Sequence, residues 1–398
     1  MSMDLAKAEQ DRTIELRRAI HRQPELGLDL PKTQRLVLES LDGLDLEIQL
    51  GSDCSSVSAT LDTGRPGPTV LLRGDMDALP MPEDSGVDFA SEIENRMHAC
   101  GHDSHVAMLS SAAHILHGMR HELVGRVRFY FQPGEEGFGG AKLGIEDGVL
   151  DGVDCAYALH IWPTKTAGTL STRAGTMMAS ADEFYVRIVG KGGHASAPHT
   201  AKDPIPVGAA FIQALQTFVT REVPISDPAV VTVAHLQAGT TTNVIPEDAL
   251  IDGTIRTLSP IIRAQVQEAL PRIANGIAEA HGMTAETRFR IGYPPTLNHV
   301  DAVATAQEVC RDLVGADATI TMRSPDMGAE DFSYILEQVP GAMLFLGVCP
   351  EGVDPNDAQG CHSNKMQLNE DSLAVGVAFH VAMARRFLAT SDLPEWMS

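Results

Sequence analysis

The chain contains few basic residues relative to its acidic ones. Its 398 residues include 30 Lys and Arg against 53 Asp and Glu, so the formal net charge is −23. Because no basic stripe is available to neutralise phosphates, we expect neither a nucleic acid nor an anionic membrane as a partner. The acidic residues are spread along the chain instead of forming a tail, which predicts high solubility.

Long hydrophobic segments are also missing. The sequence has no apolar run of about 18 residues, the length that a membrane-spanning helix needs. Residues 1–20 carry Asp4, Glu9, Asp11 and Glu15, and they lack the charged-then-apolar order of a signal peptide. These absences predict a cytoplasmic protein.

The cysteines show no regular framework. There are six, scattered over positions 54, 100, 155, 310, 349 and 361. In the reducing cytoplasm we do not expect such cysteines to form structural disulfides.

The length and the 43% hydrophobic content are sufficient for two globular domains. Periodicity predicts a helix over Ala6–Ile20, a buried strand over Thr69–Arg73 and a helix from Ser104 capped by Asp103. Further strands are predicted at Val127–Phe131 and Cys155–Ile161. This alternation predicts an α/β fold whose catalytic domain has a mixed, mostly parallel sheet flanked by helices.

The middle of the chain has a different pattern. Four strand-like segments and two helical segments, Pro204–Glu222 and Ser259–His281, follow one another between residues 182 and 292. They form a self-sufficient α+β unit of about 110 residues. We therefore predict a smaller domain at 182–292, inserted into a larger domain made of 1–181 and 293–398.

One short segment combines three metal-compatible groups. Met97–Asp103 contains Cys100 and His102 on either side of Gly101, and it ends in a carboxylate. Glycine lets the backbone turn sharply enough for the thiolate and the imidazole to face one small volume. The alternative is a buried cysteine beside an aspartate that caps a helix.

Other metal-compatible groups follow predicted strands. Asp75 and Asp77 follow one strand, Glu135 and Glu136 another, and His160 ends a third, while Cys361–Ser363 lies beyond the strand at 342–346. Functional groups gather at the carboxyl ends of strands in open α/β sheets. Each group alone would be a solvated or hydrogen-bonded side chain, but together with Cys100 and His102 they indicate a metal centre.

The adjacent pair Glu135–Glu136 suggests a division of labour. Repulsion between the two carboxylates is relieved if one of them binds a cation. The neighbouring carboxylate can then act as the base for a water molecule acidified by the metal. The alternative is a solvent-exposed acidic turn.

These motifs together resemble one family of enzymes. The sequence is similar to the di-metal amidohydrolases of the aminoacylase/carboxypeptidase metallopeptidase family, in the branch of hippurate hydrolase and other N-acyl-amino-acid amidohydrolases. The resemblance extends from about residue 16 to about residue 387. It is carried by His98–His105, Pro133–Gly137, Met327–Tyr334 and Cys361–Ser363.

The resemblance implies a site for two divalent metal ions, with Zn, Mn, Co or Ni as candidates. Cys100 would be the bridging ligand, and the other implied ligands are His102, Glu136, His160 and His362. Glu135 would be the general base and then the acid that protonates the leaving amine. Asp77 would support the metal site from behind; Asp103 and His105 could do the same, although a helix cap and a buried helix residue explain them equally well.

The inserted domain would complete the site. His194, in a glycine-rich turn, resembles the family's histidine that holds the carbonyl oxygen in the transition state. In the family this histidine reaches the site either on domain closure or from a partner subunit. Asn243 and Arg256 match positions that engage the substrate. An anionic substrate that approaches a protein of charge −23 needs such a cation, and arginine can bond both carboxylate oxygens. Without the resemblance, Arg256 would be read as a surface strand residue.

The resulting prediction is a hydrolase that cleaves the amide bond of N-acyl amino acids by attack of a metal-bridging hydroxide. We expect a homodimer or higher homo-oligomer formed through the inserted domain, which would act as a lid and a dimerisation module. A dipeptidase or carboxypeptidase of the same family is the nearest alternative. A non-catalytic binding protein remains open. A structural Cys/His zinc site also remains open, but the implied ligands outnumber the four that such a site uses.

Overall fold

The structure is a computed structural model, and it describes residues 1–389. Three 3₁₀ turns occur at Arg120–Glu122, Pro198–Thr200 and Glu370–Ser372. The α-helices of this range are α1 (Ser2–Ala8), α2 (Gln10–His21), α3 (Pro31–Ser40), α4 (His102–Gly118), α5 (Gly140–Glu146), α6 (Pro204–Arg221), α7 (Pro260–Ala280), α8 (Val300–Val314), α9 (Ser333–Leu336) and α10 (Leu373–Phe387).

The strands of the same range lie in two larger sheets and in shorter pairings. They are β1 (Glu47–Leu50), β2 (Val57–Asp62), β3 (Thr69–Asp75), β4 (Arg126–Gln132), β5 (Cys155–Trp162), β6 (Leu170–Thr172), β7 (Gly175–Met178), β8 (Asp182–Val189), β9 (Gly193–His194), β10 (Ala229–Ala238), β11 (Val244–Ile245), β12 (Asp248–Thr257), β13 (Thr284–Ile291), β14 (Thr296–Asn298), β15 (Thr319–Thr321) and β16 (Gly341–Gly347).

The large sheet has eight strands in the order β1-β2-β4-β3-β5-β16-β6-β15. Four of its seven strand pairings are parallel, including all three within the central run β4-β3-β5-β16. Every residue of β3 and β16 is buried, as expected for strands covered by helices on both faces. The predicted mixed, mostly parallel sheet flanked by helices is confirmed.

Helix α4 is the most deeply buried of the covering helices. Fourteen of its 17 residues are buried, and it packs on β3 and against α2 and α10. Its apolar residues join one large core with those of the central strands. The first turn of α4 is therefore fixed against the carboxyl ends of these strands, where the candidate ligands lie.

The second sheet has four antiparallel strands in the order β10-β12-β8-β13. Burial alternates along β8, so one face of this sheet packs on helices α6 and α7 in a separate core. Asp203 and Ser259 cap these helices by accepting backbone hydrogen bonds. The predicted set of four strands and two helices is present, together with the short pair β9 and β11, which was not predicted.

The chain divides into two compact units. Within the described range, the larger comprises Met1–Met177, Leu297–Ser324 and residues 331–389; the smaller comprises Met178–Thr296 and Pro325–Glu330. The smaller unit thus extends a few residues beyond the predicted 182–292 at both ends, and it gains a separate short segment. Within residues 1–389 no helix is both long and apolar enough to cross a lipid bilayer.

Two local predictions are wrong. The single helix predicted over Ala6–Ile20 is split, because Glu9 adopts φ −92° and ψ 2° between α1 and α2. Apolar periodicity does not detect such a break, since both pieces bury one side. Asp103 does not cap α4: the N-cap is Gly101, and the Asp103 carboxylate accepts hydrogen bonds from the side chains of Arg17 and His21 instead.

Candidate metal centre

The turn that precedes α4 brings Cys100 and His102 to the same place. Gly101 adopts φ 80°, in the left-handed region that glycine enters without steric cost. A Cβ atom at this position would lie 2.5 Å from the side chain of Ile161. Both the backbone conformation and the space therefore require glycine, and the turn leaves His102 as the first residue of α4.

Cys100 belongs to two overlapping groups of ligand atoms. Its Sγ lies 3.4 Å from Nε2 of His160, and these atoms and a nitrogen of His102 lie within 4.8 Å of one another. A second group, with the same limit, contains Cys100, Glu136 and His362. The structure thus brings together all five predicted ligands, with one sulfur common to both groups.

The loop after β4 holds the two glutamates. Backbone N–H groups of Glu135 and Glu136 donate to the two carboxylate oxygens of Asp77, at 2.9 and 3.0 Å. Glu135 is buried, and its carboxylate lies within 4.8 Å of ligand atoms of His102 and Glu136. Asp77 therefore anchors the loop that carries the predicted base, and its Oδ1 also lies 3.5 Å from Nδ1 of His102.

His362 reaches the cluster from a constrained loop. It is one of only two non-glycine residues with positive φ in the described chain, at 69°. Its backbone N–H donates to the carbonyl of Ala99 at 2.7 Å, and its Nε2 lies 3.3 Å from Oε1 of Glu136. Backbone strain of this kind persists where the surrounding structure holds it, often at functional sites.

The donor set fits a divalent cation. Both ring nitrogens of His102 and Oε1 of Glu136 are buried without a hydrogen-bond partner among the residues that the structure describes. Buried polar atoms of this kind are uncommon, because an unmade hydrogen bond costs free energy. Thiolate, imidazole and carboxylate ligands together suit Zn²⁺ and neighbouring transition metals.

The electrostatics of the cluster also favour a cation. Although burial lowers the pKa of His102, the charges of Asp75, Asp77 and Glu136 raise it to about 10. The interaction of Cys100 with the Cys361 side chain, followed by burial, raises the pKa of its thiol well above the ordinary value. Without a metal, His102 and Cys100 therefore hold protons that metal binding would displace.

His160 is fixed in one tautomer. Its Nδ1 lies 2.6 Å from the carbonyl oxygen of Ile161, which can only accept, so Nδ1 carries the proton. Nε2 is left with its lone pair towards Cys100. Burial and the nearby His105 lower the pKa of His160, which keeps it neutral as a metal ligand must be.

Sequence reasoning did not recognise the role of Asp75. This buried carboxylate lies 3.5 Å from Nε2 of His102, accepts a hydrogen bond from Arg73 at 2.6 Å and forms a short one with Nδ1 of His105. Nε2 of His105 in turn accepts the backbone N–H of Ile161 at 2.9 Å, next to His160. The sequence feature that could have indicated this role is the position of Asp75, two residues before Asp77 at the end of a buried strand.

A second buried network supports α4 from the other side. Asp103 accepts from Arg17 at 3.1 Å and from His21 at 2.8 Å, and these residues in turn contact Glu370 and Glu83. The charges of Arg17 and His21 overcome the effect of burial and lower the pKa of Asp103. Neither Arg17 nor His21 was predicted, because both lie more than 80 residues away from Asp103 in sequence.

The remaining predicted residues lie in the smaller unit. His194 pairs with Val244 between β9 and β11, and the carbonyl of Asn243 accepts the N–H of Ala195 at 3.0 Å. The exposed His194 ring, through Nδ1, is hydrogen-bonded to the backbone N–H and the hydroxyl of Ser196. His194 and Asn243 therefore share one surface turn, which lines an open cavity of about 440 Å³.

Arg256 lies elsewhere in the smaller unit, close to the end of β12. It is half-buried, and its Nη1 donates to Thr254 Oγ1 at 2.5 Å and to the carbonyl of Ile255 at 3.1 Å. Among the described residues, no carboxylate lies within ion-pair distance of its guanidinium. Its charge is therefore available to an anionic ligand.

Comparison with known proteins identifies relatives along the whole chain. Residues 71–386 match the model of peptidase family M20/M25/M40. Thermostable carboxypeptidase 2 of Saccharolobus solfataricus is 38% identical over 386 residues, covering 95% of this chain and 96% of that protein. An N-acyl-L-amino acid amidohydrolase of Geobacillus stearothermophilus is 42% identical over 71% of this chain and 77% of its own length.

A solved structure extends the likeness to the fold. The crystal structure of a Bacillus subtilis protein, described as a dinuclear metal binding peptidase of the M20 family, superposes with a TM-score of 0.83. It is 33% identical, over 96% of this chain and 99% of that one.

The fold, the ligand cluster and these relatives define a metal-dependent hydrolase. The chain belongs to peptidase family M20/M25/M40. The predicted family and the prediction of a hydrolytic enzyme are thereby confirmed. The roles assigned to individual site residues and the boundaries and function of the inserted domain stay predictions.

Proposed function

We propose that the protein hydrolyses the amide bond of N-acyl amino acids, such as N-acetyl or hippurate-like compounds. The observation that carries the proposal is that Cys100 belongs to both ligand groups, beside the buried carboxylate of Glu135. The name of the Geobacillus stearothermophilus relative supports the same substrate class.

Cys100, His102, Glu136, His160 and His362 would hold two divalent ions. When bound, the ions would acidify a water molecule and polarise the substrate carbonyl. Glu135 takes the proton from the attacking water and later gives it to the leaving amine nitrogen. Its loop is anchored to Asp77, so the base keeps its position during both transfers.

Three residues of the smaller unit would bind the substrate. His194 donates a hydrogen bond to the developing oxyanion, and Asn243 beside it contacts the acyl amide. Arg256 bonds the carboxylate of the amino-acid part in a bidentate manner. The absence of a competing ion pair at Arg256 in the described chain supports this role.

Within one copy of the smaller unit, Arg256 is near one end of β12, and His194 follows β8, whose last residue pairs with the other end of β12. Val189, at the end of β8, pairs with Asp248, and the chain continues from there to His194. Asp248 and Arg256 are separated by about 26 Å of strand at ordinary strand rise. This distance exceeds the length of an N-acyl amino acid, so we propose that a second copy of the chain supplies one of the two residues.

Mixing two inactive variants tests this arrangement. H194A and R256A are purified with different tags, allowed to exchange subunits, and assayed at low substrate concentration. In a two-fold dimer with shared sites, half of the molecules are heterodimers with one intact site, so activity recovers to about a quarter of wild type. Heterodimers that form without any recovery, or a chain that stays monomeric, would contradict the proposal.

The substrate class is tested with a panel of compounds. Metal-stripped protein is reloaded separately with Zn²⁺, Mn²⁺, Co²⁺ or Ni²⁺ and incubated with N-acetyl and N-benzoyl amino acids and with free dipeptides. Products are identified by mass spectrometry. We expect cleavage of the N-acyl amino acids, loss of activity on chelation and recovery with metal; activity that survives complete metal removal would contradict the proposal.

The relative named as a carboxypeptidase favours one second candidate, a carboxypeptidase or dipeptidase. Preferential cleavage of dipeptides or longer peptides in the same panel would support it. Tight binding of N-acyl amino acids without cleavage of any compound would instead support a non-catalytic binding protein.

A further inference from the structure

A buried arginine contacts the supports of both ligand groups. Arg73 lies in β3, and its guanidinium donates to three side chains at once. Nε donates to Gln132 Oε1 at 3.0 Å, Nη1 to Asp75 Oδ2 at 2.6 Å and Nη2 to Asp331 Oδ1 at 3.0 Å. Because the guanidinium is planar and rigid, it fixes these three acceptors relative to one another.

On one side, Arg73 holds a carboxylate next to the imidazole ligands. The oxygen of Asp75 that accepts from Arg73 also lies 3.5 Å from Nε2 of His102. The other oxygen is hydrogen-bonded to His105, whose second ring nitrogen accepts the backbone N–H of the residue that follows His160. A shift of Asp75 would therefore disturb two members of the group formed by the thiolate and the two imidazoles.

On the other side, Asp331 holds both ends of the loop that carries the two glutamates. It accepts from the side-chain amide of Gln132 at 2.7 and 2.9 Å, and from the backbone N–H of Ala141 at 2.9 Å. Gln132 is the last residue of β4, and Ala141 lies in the first turn of α5. Both ends of the loop with Glu135 and Glu136 are thus attached to one carboxylate.

Asp331 is placed as a support and not as a ligand. One of its oxygens lies within 4.8 Å of a carboxylate oxygen of Glu135, so it is close to the cluster. Its two oxygens nevertheless receive four hydrogen-bond contacts, from Arg73, Gln132 and Ala141. A carboxylate accepts about four hydrogen bonds in all. The acceptor capacity of Asp331 is therefore already used by the protein.

We propose that Arg73 and Asp331 are positioning residues that couple the two ligand groups. Arg73 holds Asp75 for the first group, and Asp331 holds the loop of Glu135 and Glu136 for the second. Because both supports share one guanidinium, the loss of either contact should weaken metal binding by both groups. This inference rests on the metal centre of the proposed function, but it concerns metal affinity and is tested without substrate.

The first test is the affinity of the D331N variant for zinc. An amide nitrogen at position 331 would face N–H donors in either orientation, because both oxygens of Asp331 accept hydrogen bonds. Metal-stripped protein is titrated with Zn²⁺ against a competing chelator. We expect both zinc ions to bind about 10–100-fold more weakly than in wild type. Weakening of one ion alone would contradict the coupling of the two groups.

R73K is a second variant, which decides the question if D331N does not fold. Lysine keeps the positive charge, but its ammonium lacks the planar fork that holds three acceptors in place. We expect a loss of zinc affinity similar to that of D331N. Wild-type zinc affinity in the folded variants would overturn the proposal.

A buried aspartate of the smaller unit provides a matched control. Asp182 accepts from Arg263 at 2.8 and 2.7 Å, from the side chain of Gln267 at 3.2 Å and from the backbone N–H of Gly292 at 3.0 Å. It therefore has the same kinds of partner as Asp331, but it supports none of the predicted ligands. D182N should lower the free energy of unfolding as D331N does, while its zinc affinity stays within about twofold of wild type. An equal loss of zinc affinity in D182N would show that destabilisation alone explains the effect.

The double variant R73K/D331N tests whether the two residues act through their mutual contact. Its loss of zinc affinity should be smaller than the product of the two single losses. A loss equal to that product would contradict the coupling. If D331N binds zinc weakly and the wild type cleaves no N-acyl amino acid, only the proposed function fails. If the wild type cleaves these compounds and D331N keeps its zinc affinity, only the positioning role fails.

Discussion

The ligand cluster of the larger unit and the His194 turn of the smaller unit are built in opposite ways. Cys100, His102 and His160 are buried; the carbonyl of Ile161 holds the His160 ring by a hydrogen bond, and carboxylate oxygens of Asp75 and Asp77 lie 3.5 Å from the two ring nitrogens of His102. His194 is exposed, and the hydrogen bonds of its ring among the residues that the structure describes are made with its near neighbour Ser196.

The two regions meet different requirements of hydrolytic chemistry. Groups that hold a cation must be arranged before the cation arrives, because a displaced ligand loses affinity steeply. A group that stabilises the oxyanion can instead remain exposed until substrate binds. Changes in the cluster should therefore affect metal content, whereas changes in the turn should affect turnover alone.

The largest expected effect is on the base. Replacing Glu135 by Gln removes the proton acceptor but keeps the shape of the side chain, so kcat should fall by about 10²–10⁴-fold. Metal content, measured by atomic emission, should not change, because the proposed ligands are intact. The exposed Glu146 provides a matched control, and E146Q should retain wild-type kcat. Near-normal turnover of E135Q would exclude Glu135 as the base.

A somewhat smaller effect is expected in the exposed turn. H194A should lower kcat by about 10²–10³-fold, the usual cost of losing an oxyanion donor. Because the ring is exposed, the free energy of unfolding should change by less than about 0.5 kcal/mol. The effects on stability, turnover and metal content are measured by urea denaturation, steady-state kinetics and metal analysis. H194A is compared with H199A, a variant of an exposed neighbouring histidine. A loss of metal in H194A would break the proposed separation between cluster and turn.

Asp77 tests the anchoring of the cluster. An amide in D77N can accept only through one oxygen, so it cannot bind the N–H groups of both Glu135 and Glu136. Metal affinity should fall by about 10–100-fold, as for other partners of metal ligands. Titration against a competing chelator measures the change. Unaltered affinity would show that the loop holds its position without this carboxylate.

The smallest effect on turnover is expected at His21, which acts on stability. Although burial lowers its pKa, the charge and hydrogen bond of Asp103 raise it to about 9, from 6.5 in the unfolded chain. The resulting stabilisation, about 3 kcal/mol or less, is fully present below pH 6.5 and is lost as the pH rises through about 9.

Urea denaturation of wild type and H21Q, well below pH 6.5 and well above pH 9, measures this contribution. Wild type should exceed H21Q in the free energy of unfolding at the lower pH, and the difference should shrink at the higher pH. A difference that is independent of pH would mean that His21 is not protonated in the folded protein.

The sequence was most informative where a local pattern carries the constraint. Gly101 between two ligands predicted the tight turn, and strand ends predicted the positions of Glu136 and His160. The buried pairs Arg17–Asp103 and Asp75–His105 were not predictable in this way, because they join segments that are distant along the chain. The break at Glu9 was missed because the apolar pattern continues across it.

The conformation of Gly101 limits how this enzyme can be diversified. Any L-amino acid at position 101 would meet both an unfavourable φ and the side chain of Ile161, so trimming Ile161 would remove only one of the two obstacles. Mutational libraries aimed at new substrates should therefore leave residues 100–102 untouched and vary the exposed positions around Asn243.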